Sequence, residues 1–329
     1  MEALGISPRF SIIIPTYARV QTLRACLSGC CALDYHSGQF EIVVVDDGDD
    51  EGTRQVVADF LHLIPLVYIP QPARSGPASA RNAGAAAARG RYVVFIDDDC
   101  VPDKGWLKGM DEVLDDAGPP LLAGGRIEND SSENVFAIAS QNLVEFLYEW
   151  YNADPRNARF FASNNIACPK AAFAELGGFD ASFPRAAAED RDFCDRWRER
   201  GWRLVSAPNA VVRHRHRLTF RSFVRQHFGY GRGAVYLHQG RERRGVRRPK
   251  LEPLRFYYRL LAYPMQHRSE ASRPQLVALA FASQVAYAAG FYRERLRARR
   301  LALRSSHGVH TPVDVRQQVD VADPRTHSS

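Results

Sequence analysis

The chain has 329 residues, 45% of them hydrophobic, and 44 lysines and arginines outnumber 37 acids to give a formal net charge of +7. This composition can bury a sizeable core, which excludes a disordered chain and favours one large domain with an appendage. None of the six cysteines belongs to a C-x-x-C pair, which argues against a zinc site or a disulfide framework. Residues 1–9 contain no secretory signal, so we expect a cytoplasmic protein.

The first hundred residues alternate short apolar runs with segments of helical periodicity. Buried strands are predicted at 10–14, 40–45, 66–69 and 92–96. Helices are predicted between them, near 23–30, 56–61 and 78–88. This alternation is typical of βαβ units and predicts an α/β fold with a Rossmann-like, mainly parallel central sheet flanked by helices.

Two of these strands end in carboxylates. Asp46 and Asp47 follow the second strand, and Asp97, Asp98 and Asp99 follow the fourth. Ligands of open α/β sheets bind outside the carboxyl ends of the strands, and a divalent cation would relieve the repulsion between crowded acids. An acidic turn in water is the alternative. Because the chain has neither a G-x-G-x-x-G after the first strand nor a P-loop, phosphates would have to be held by such a metal.

The second half of the chain adds further candidate elements. A strand is predicted at 121–126, a helix at 136–151, and short strands at 203–205 and 210–212. The last of these leads into His214 and His216, which would point the same way in an extended chain. Glu189 and Asp190 begin a predicted helix, where acids are also favoured simply by the helix dipole.

The C-terminal region is basic and partly apolar. Eleven arginines and one lysine face a single acid between Arg213 and Lys250, which favours an anionic partner such as nucleic acid, lipid or a phosphorylated ligand. Residues 276–292 are apolar but shorter than the roughly 20 residues of a membrane span. They predict either a helix at a membrane interface or a buried packing helix. The polar tail from Ser306 is predicted to be disordered.

Five motifs occur in order between Phe10 and Arg232: SIIIPTYAR, VVVDDGD, GPASARNAG, FIDDDCVP and FPRAAAEDRD. Together they resemble the family 2 nucleotide-sugar glycosyltransferases of the GT-A fold. The resemblance implies a GT-A domain over 8–235, with a nucleotide-binding half at about 8–103 and an acceptor half at about 104–235. A basic, apolar helical extension at 236–305 and a tail at 306–329 would follow.

The resemblance also implies roles for individual residues. The nucleotide-sugar site would comprise Pro15, Thr16, Tyr17, Arg19, Asp46, Asp47, Arg81, Asp97 and Asp98. The D-x-D element would supply Asp97 and Asp99 to a Mg²⁺ or Mn²⁺ ion, with His214 or His216 as a further ligand. Many relatives carry a fourth acid where this chain has Cys100, but the D-x-D pair is intact.

The remaining implied roles concern catalysis and the acceptor. Asp190 matches the catalytic base, which must deprotonate an acceptor hydroxyl, and Glu189 would orient the acceptor. The acceptor-facing loop is matched by Asn164, Asn165 and Gly178. The segment 225–232 resembles a Q-x-x-R-W element, in which Gly229 and Tyr230 replace Arg-Trp, and this argues against processive polymerisation. A diphosphate clamp would be formed by Gln226, Tyr230 and Arg232.

The function expected from these features is inverting, metal-dependent transfer of a sugar from a UDP-, GDP- or dTDP-sugar to an acceptor hydroxyl. The acceptor would be a glycan, a lipid-linked molecule or a small molecule, in cell-envelope, lipid-linked glycan or secondary-metabolite glycosylation. Peripheral contact with the inner face of the membrane is expected, and nucleic-acid binding is not.

Three other functions fit the sequence less well. A sugar-phosphate nucleotidyltransferase would need a glycine-rich loop where Pro15-Thr16-Tyr17 stands. A glycoside hydrolase has no use for a nucleotide pocket. A non-enzymatic protein that binds nucleic acid or membranes through its arginines would leave the acids at the strand ends unexplained.

Overall fold

The computed structural model describes residues 7–114, 117–130, 133–183, 187–215, 218–246, 252–266 and 271–307, with side chains up to residue 300. Within these ranges the strands are β1 Phe10–Thr16, β2 Phe40–Asp46, β3 Leu66–Pro70, β4 Tyr92–Ile96, β5 Cys100–Pro102, β6 Leu121–Asn129, β7 Asn165–Pro169 and β8 Arg203–His214. The α-helices are α1 Val20–Cys31, α2 Glu51–Phe60, α3 Pro77–Ala87, α4 Trp106–Asp111, α5 Val135–Tyr151, α6 Lys170–Glu175, α7 Glu189–Glu199, α8 Phe220–Arg243, α9 Leu254–Gln266 and α10 Arg273–His307.

The strands form one sheet in the order β3-β2-β1-β4-β7-β6-β8-β5. The four strands of the first half are parallel, β7 is antiparallel to both its neighbours, β6 and β8 are parallel, and β5 runs antiparallel to β8. The predicted Rossmann-like, mainly parallel sheet is therefore confirmed. Strands β1, β2 and β4 are buried along their whole length because helices cover both faces of the sheet.

The core lies in two layers, one on each face of the sheet. Alternation along β1 sends Ile12 and Ile14 to the layer under α1, and Ile13 to the layer that contains Phe173 and Phe193. Gly124 of β6 lies directly against Phe161, since a Cβ there would come within 2.0 Å of the ring.

Some elements differ from the sequence prediction. The two short strands expected at 203–205 and 210–212 are one strand, β8, whose register with β6 shifts between Gly125 and Arg126. Strand β5 was not predicted and forms directly after the acidic triplet, where Cys100 pairs with His214. Its existence depends on a partner more than a hundred residues away, which local periodicity cannot reveal.

The C-terminal helices pack onto the domain through close backbone contacts. A Cβ on Gly231 of α8 would lie 1.9 Å from the carbonyl oxygen of Tyr287 in α10, and one on Gly290 would lie 2.0 Å from that of Phe228. Helix α9 packs on α5, with the rings of Phe256 and Phe146 5.1 Å apart. The domain boundary expected at residue 235 falls inside α8. Residues 308–329 of the expected tail lie outside the described residues.

By length and composition, helix α10 could cross a membrane. Within Arg273–Arg300, an 18-residue window has a mean hydropathy of 1.2, and 28% of that window is buried inside the fold.

Candidate active site

The acids at the ends of β2 and β4 meet at one edge of the sheet. Register pairs Thr16 of β1 with Asp46 of β2, and β4 lies on the other side of β1. Asp46 is fully buried, and its Oδ2 accepts hydrogen bonds from the Tyr68 hydroxyl (2.8 Å) and the Asp50 amide (2.7 Å). Burial raises the pKa of Asp46. Its Oδ1 is buried without a hydrogen-bond partner among the described residues, so it can accept a hydrogen bond from a ligand.

Asp47 fixes the loop that leads into α3. Its two carboxylate oxygens accept the amides of Ser75 (2.6 Å) and Gly76 (2.8 Å), and Gly76 has a φ of +91°, a conformation that favours glycine. Asp47 therefore orients the start of the helix that carries Arg81. Nearby, the Arg74 guanidinium lies 4.1 Å from the centroid of the half-exposed Tyr17 ring, a contact that no motif had indicated.

The side chain of Asp98, which was predicted to contact the nucleotide sugar, is instead buried against β1. It accepts hydrogen bonds from Thr16 Oγ1 (2.7 Å) and Arg19 Nη1 (3.1 Å). Burial raises the pKa of Asp98 to about 6, against the opposing charge of Arg19. Arg19 Nη1 also bonds Asp99 at 2.8 Å, so Arg19 joins the loop after β1 to the acidic triplet.

Arg81 links the D-x-D element to the helix that carries the expected base. It is buried, bonds Asp97 Oδ1 at 2.6 Å, and lies 3.4 Å from Glu189 Oε1. Burial, together with the charge of Asp190, raises the pKa of Glu189 to about 7. One cation thus connects residues from α3, the end of β4 and α7.

A second cluster surrounds Asp99. His214 Nε2 lies 3.3 Å from Asp99 Oδ1, and together with Cys100 Sγ these ligand atoms all lie within 4.8 Å of one another. Burial alone would lower the pKa of His214, but the charges of Asp99 and Asp97 raise it overall. Cys100 is fully buried, and its sulfur accepts a hydrogen bond from Asn164 Nδ2 at 3.6 Å. His216 lies outside the described residues.

Asp190 lies in the first turn of α7, next to a strained residue. Ala188, which precedes the helix, has a φ of +72°, in the left-handed region that non-glycine residues rarely adopt. Asp190 is half-buried, and its Oδ1 accepts a hydrogen bond from the backbone amide of Arg191 (2.7 Å). Burial raises the pKa of Asp190. The Arg191 guanidinium lies between the rings of Tyr151 and Phe160, at 4.7 and 4.9 Å from their centroids.

Two of the residues predicted to contact the acceptor hold the fold instead. Asn165 is fully buried. Its Oδ1 accepts a hydrogen bond from Trp106 Nε1 (2.8 Å), and its Nδ2 donates hydrogen bonds to the carbonyls of Arg126 (2.9 Å) and Ala210 (3.0 Å). Gly178 has a φ of +68° and leaves no room for a side chain beside Asn82. Asn164 differs from both, because its Oδ1 is buried without a hydrogen-bond partner in the described structure.

Helix α8 divides the predicted diphosphate clamp between two faces. Gln226 Nε2 donates to the Tyr230 hydroxyl at 2.6 Å. Burial and the charges of Asp190 and Glu189 raise the pKa of Tyr230 to about 12. Arg232 differs from the prediction. It lies about 200° further round the helix, where it pairs with the buried Glu294 of α10 at 2.5 Å.

A GT-A type fold with these acids at the carboxyl edge of its sheet defines a nucleotide-sugar glycosyltransferase. Residues 11–177 match the model of glycosyl transferase family 2, and the chain belongs to that family.

Curated relatives agree with this assignment. The chain is 29% identical over 242 residues to the pre-mycofactocin glycosyltransferase of Mycobacterium tuberculosis (strain ATCC 25618 / H37Rv), covering 69% of this chain and 47% of the relative. It is 26% identical over 235 residues to the chondroitin synthase of Escherichia coli, covering 62% and 34%. The chain therefore spans half or less of the length of these two relatives.

Solved structures show the same fold at lower identity. The mannosyltransferase PcManGT from Pyrobaculum calidifontis, in complex with GDP-Man and Mn²⁺, has a TM-score of 0.56 at 19% identity, covering 93% of this chain and 81% of that one. S. aureus TarS has a TM-score of 0.50 at 16% identity, covering 86% and 55%. The family and its fold place this chain among the glycosyltransferases, and the nucleotidyltransferase alternative is set aside.

Proposed function

We propose that this glycosyltransferase transfers a sugar from a UDP-, GDP- or dTDP-sugar to an acceptor hydroxyl, with inversion at the anomeric carbon and a bound Mn²⁺ or Mg²⁺ ion. The observation that carries the proposal is the bridge made by Arg81 between Asp97 and Glu189, which is the neighbour of Asp190. It brings the D-x-D element and the expected base to one side of a single site.

The residues around Asp99 fit a metal ion. A carboxylate oxygen and an imidazole nitrogen converge at 3.3 Å, which is the separation expected of two donors that share one cation. Mg²⁺ prefers oxygen ligands alone, whereas Mn²⁺ also accepts imidazole, so we expect Mn²⁺ to support activity better. When bound, such an ion would stabilise the negative charge of the departing diphosphate. The presence of Mn²⁺ in the PcManGT complex supports this choice.

Asp190 supplies the base in this proposal. Its carboxylate takes the proton from the acceptor hydroxyl while the hydroxyl oxygen bonds to the anomeric carbon and the bond to the diphosphate breaks. A pKa raised by burial makes this carboxylate a stronger base than an exposed aspartate. Attack opposite the leaving group inverts the anomeric configuration.

The remaining polar groups are assigned to the donor. Asp46 Oδ1 and the ring of Tyr17 would receive the nucleotide base, and Gln226 with Tyr230 would cover the diphosphate from α8. We place the reaction in cell-envelope, lipid-linked glycan or secondary-metabolite glycosylation. The altered Q-x-x-R-W element supports transfer of single sugars rather than polymerisation.

A panel of nucleotide sugars tests the proposal directly. We expect binding of one UDP-, GDP- or dTDP-sugar in calorimetry with Mn²⁺, weaker binding with Mg²⁺ and none with EDTA. Asp99→Ala should abolish metal-dependent binding, and His214→Ala should weaken it. Asp103→Ala is the matched control, because this nearby carboxylate pairs with Arg213 and lies outside the cluster around Asp99, and it should bind as the wild type does. Full Mn²⁺-dependent binding by Asp99→Ala would remove the metal from the proposal.

A further inference from the structure

One face of α10 is apolar and uncovered in the part of the chain that the structure describes. It is formed by Phe281, Val285, Tyr292 and Leu296, each with more than half of its surface exposed. Their spacing of 4, 7 and 4 residues places them within about 60° of one another around the helix and over roughly 23 Å of its length. We call these four residues the α10 stripe.

Helix α9 repeats the pattern. Its exposed apolar residues are Leu254, Tyr258 and Met265, again spaced by 4 and 7 residues. Exposed apolar residues on a soluble protein are normally scattered singly, so two such rows on neighbouring helices indicate a contact surface.

The opposite sides of both helices belong to the fold. Leu276, Leu279 and Ala286 of α10 are buried, and Gly290 touches the backbone of α8. A helix that crossed the bilayer would have to give up this packing. The stripe is therefore suited to a helix that lies along a surface, with one side in the protein and the other outward.

Charge identifies the kind of surface. Within residues 252–266 and 271–300 every arginine is exposed, and they are Arg255, Arg259, Arg273, Arg293, Arg295, Arg297, Arg299 and Arg300. The acids of these two ranges, Glu252 and Glu294, are not exposed, and they accept hydrogen bonds from Tyr151 and Arg232. Within these two described ranges, the apolar rows are therefore accompanied by exposed arginines and by no exposed acid.

We propose that α9 and α10 dock on the surface of an anionic lipid bilayer, with the α10 stripe in the headgroup region and the arginines on the lipid phosphates. Apolar burial and attraction to anionic lipid add together in such a contact. Helix α8 lies between α10 and the helix that carries Asp190, since Gly231 touches the backbone of α10 while Gly233 touches the backbone of Ala187, which precedes α7. Docking would hold the active site close to the membrane, within reach of a lipid-linked acceptor. That consequence rests on the proposed function, whereas docking itself does not.

Vesicle sedimentation with the full chain tests the proposal. We expect binding to phosphatidylcholine vesicles that contain about 30% phosphatidylglycerol, little binding to phosphatidylcholine alone, and weaker binding as salt is raised. Equal partition onto both kinds of vesicle, or none onto either, would overturn it. The readout needs no substrate, so its failure is distinct from failure of the glycosyltransferase assay.

Variants locate the contact. Phe281→Ser with Tyr292→Ser should weaken vesicle binding at least tenfold. The matched control, Leu61→Ser with Leu63→Ser, changes equally exposed apolar residues that follow α2 and should bind as the wild type does. If the stripe variant fails to fold, Arg295→Gln with Arg299→Gln gives an independent test, with an expected loss of about thirtyfold.

Other occupants of the stripe give different results. A homodimer in light scattering that the Phe281/Tyr292 variant dissociates would assign the stripe to a second copy of the chain and overturn the proposal. Association with vesicles that resists alkaline extraction would show a spanning helix instead, and would overturn it as well. Donor affinity should be unchanged in all of these variants.

Discussion

Replacing Asp190 by asparagine is expected to stop sugar transfer while leaving donor binding intact. Asparagine has almost the same shape, and its Oδ1 can still accept the Arg191 amide that Asp190 accepts at 2.7 Å. The first turn of α7 should therefore keep its conformation. What disappears is the negative charge and the ability to take a proton.

The size of the effect follows from the role. A positioned general base contributes about 10²- to 10⁴-fold to the rate, which corresponds to roughly 3 to 5 kcal/mol of transition-state stabilisation. We expect kcat to fall by that factor, and the affinity for donor with Mn²⁺ to stay within about twofold. Burial raises the pKa of Asp190, so wild-type kcat should fall as the pH drops through that raised pKa, and the variant should lose this dependence.

Calorimetry with the nucleotide diphosphate and Mn²⁺ measures binding, and release of the diphosphate measures turnover. Asp195→Asn is the matched control, because Asp195 lies on the same helix and pairs with Arg241 rather than facing the site. Its turnover should match the wild type. Near-normal kcat in Asp190→Asn, or an unchanged acid limb, would refute the assignment and require another base.

Three further predictions concern stability and the C-terminal helices. Burial lowers the pKa of His227 to about 4, so the unfolded chain binds a proton that the folded protein does not, and stability is lost as pH falls from about 6.5 towards 4. At pH 5 the expected loss of unfolding free energy is about 2 kcal/mol. His227→Leu should abolish this loss, as measured by thermal melts at pH 5 and 7.5. An equal pH dependence in the wild type and the variant would contradict the prediction. Arg232→Met removes the nearer of two cations beside the buried Glu294, which keeps Arg297 at 3.6 Å and the Tyr236 hydroxyl, and should cost about 1 to 3 kcal/mol of unfolding free energy with donor affinity unchanged; weaker donor binding would instead support a role for Arg232 in the clamp. Gly231→Ala places a methyl group against the Tyr287 carbonyl and should cost about 1 to 3 kcal/mol in denaturant unfolding, and wild-type stability would exclude the close contact of α8 and α10.

Much of the nucleotide-binding half could be predicted from sequence. Strands β1 to β4 are continuous apolar runs, and the rule that parallel strands end at one edge brings Asp46 and Asp97 together without any knowledge of distant contacts. The motif resemblance added the expectation that Asp190 and His214 belong to the same site.

The partners of these residues could not be predicted in the same way. Arg81 joins Asp97 to Glu189, and each pairing spans a sequence separation that no local pattern encodes. Asn165 matched a family motif, yet its amide is fully used by Trp106 and two carbonyl groups. A motif identifies a position in the sequence, but it does not indicate which neighbouring groups will form hydrogen bonds with that side chain.

The sequence by itself determined the first four strands, the acidic strand ends and the glycosyltransferase family, because periodicity and short motifs depend on residues that are close along the chain. Only the tertiary structure decided that β5 and β8 pair, which places His214 beside Asp99, and that Arg232 turns towards α10 rather than the site. It also showed which face of α10 the described residues leave uncovered. These outcomes depend on packing between segments that are distant in sequence, because that packing decides which groups each side chain contacts.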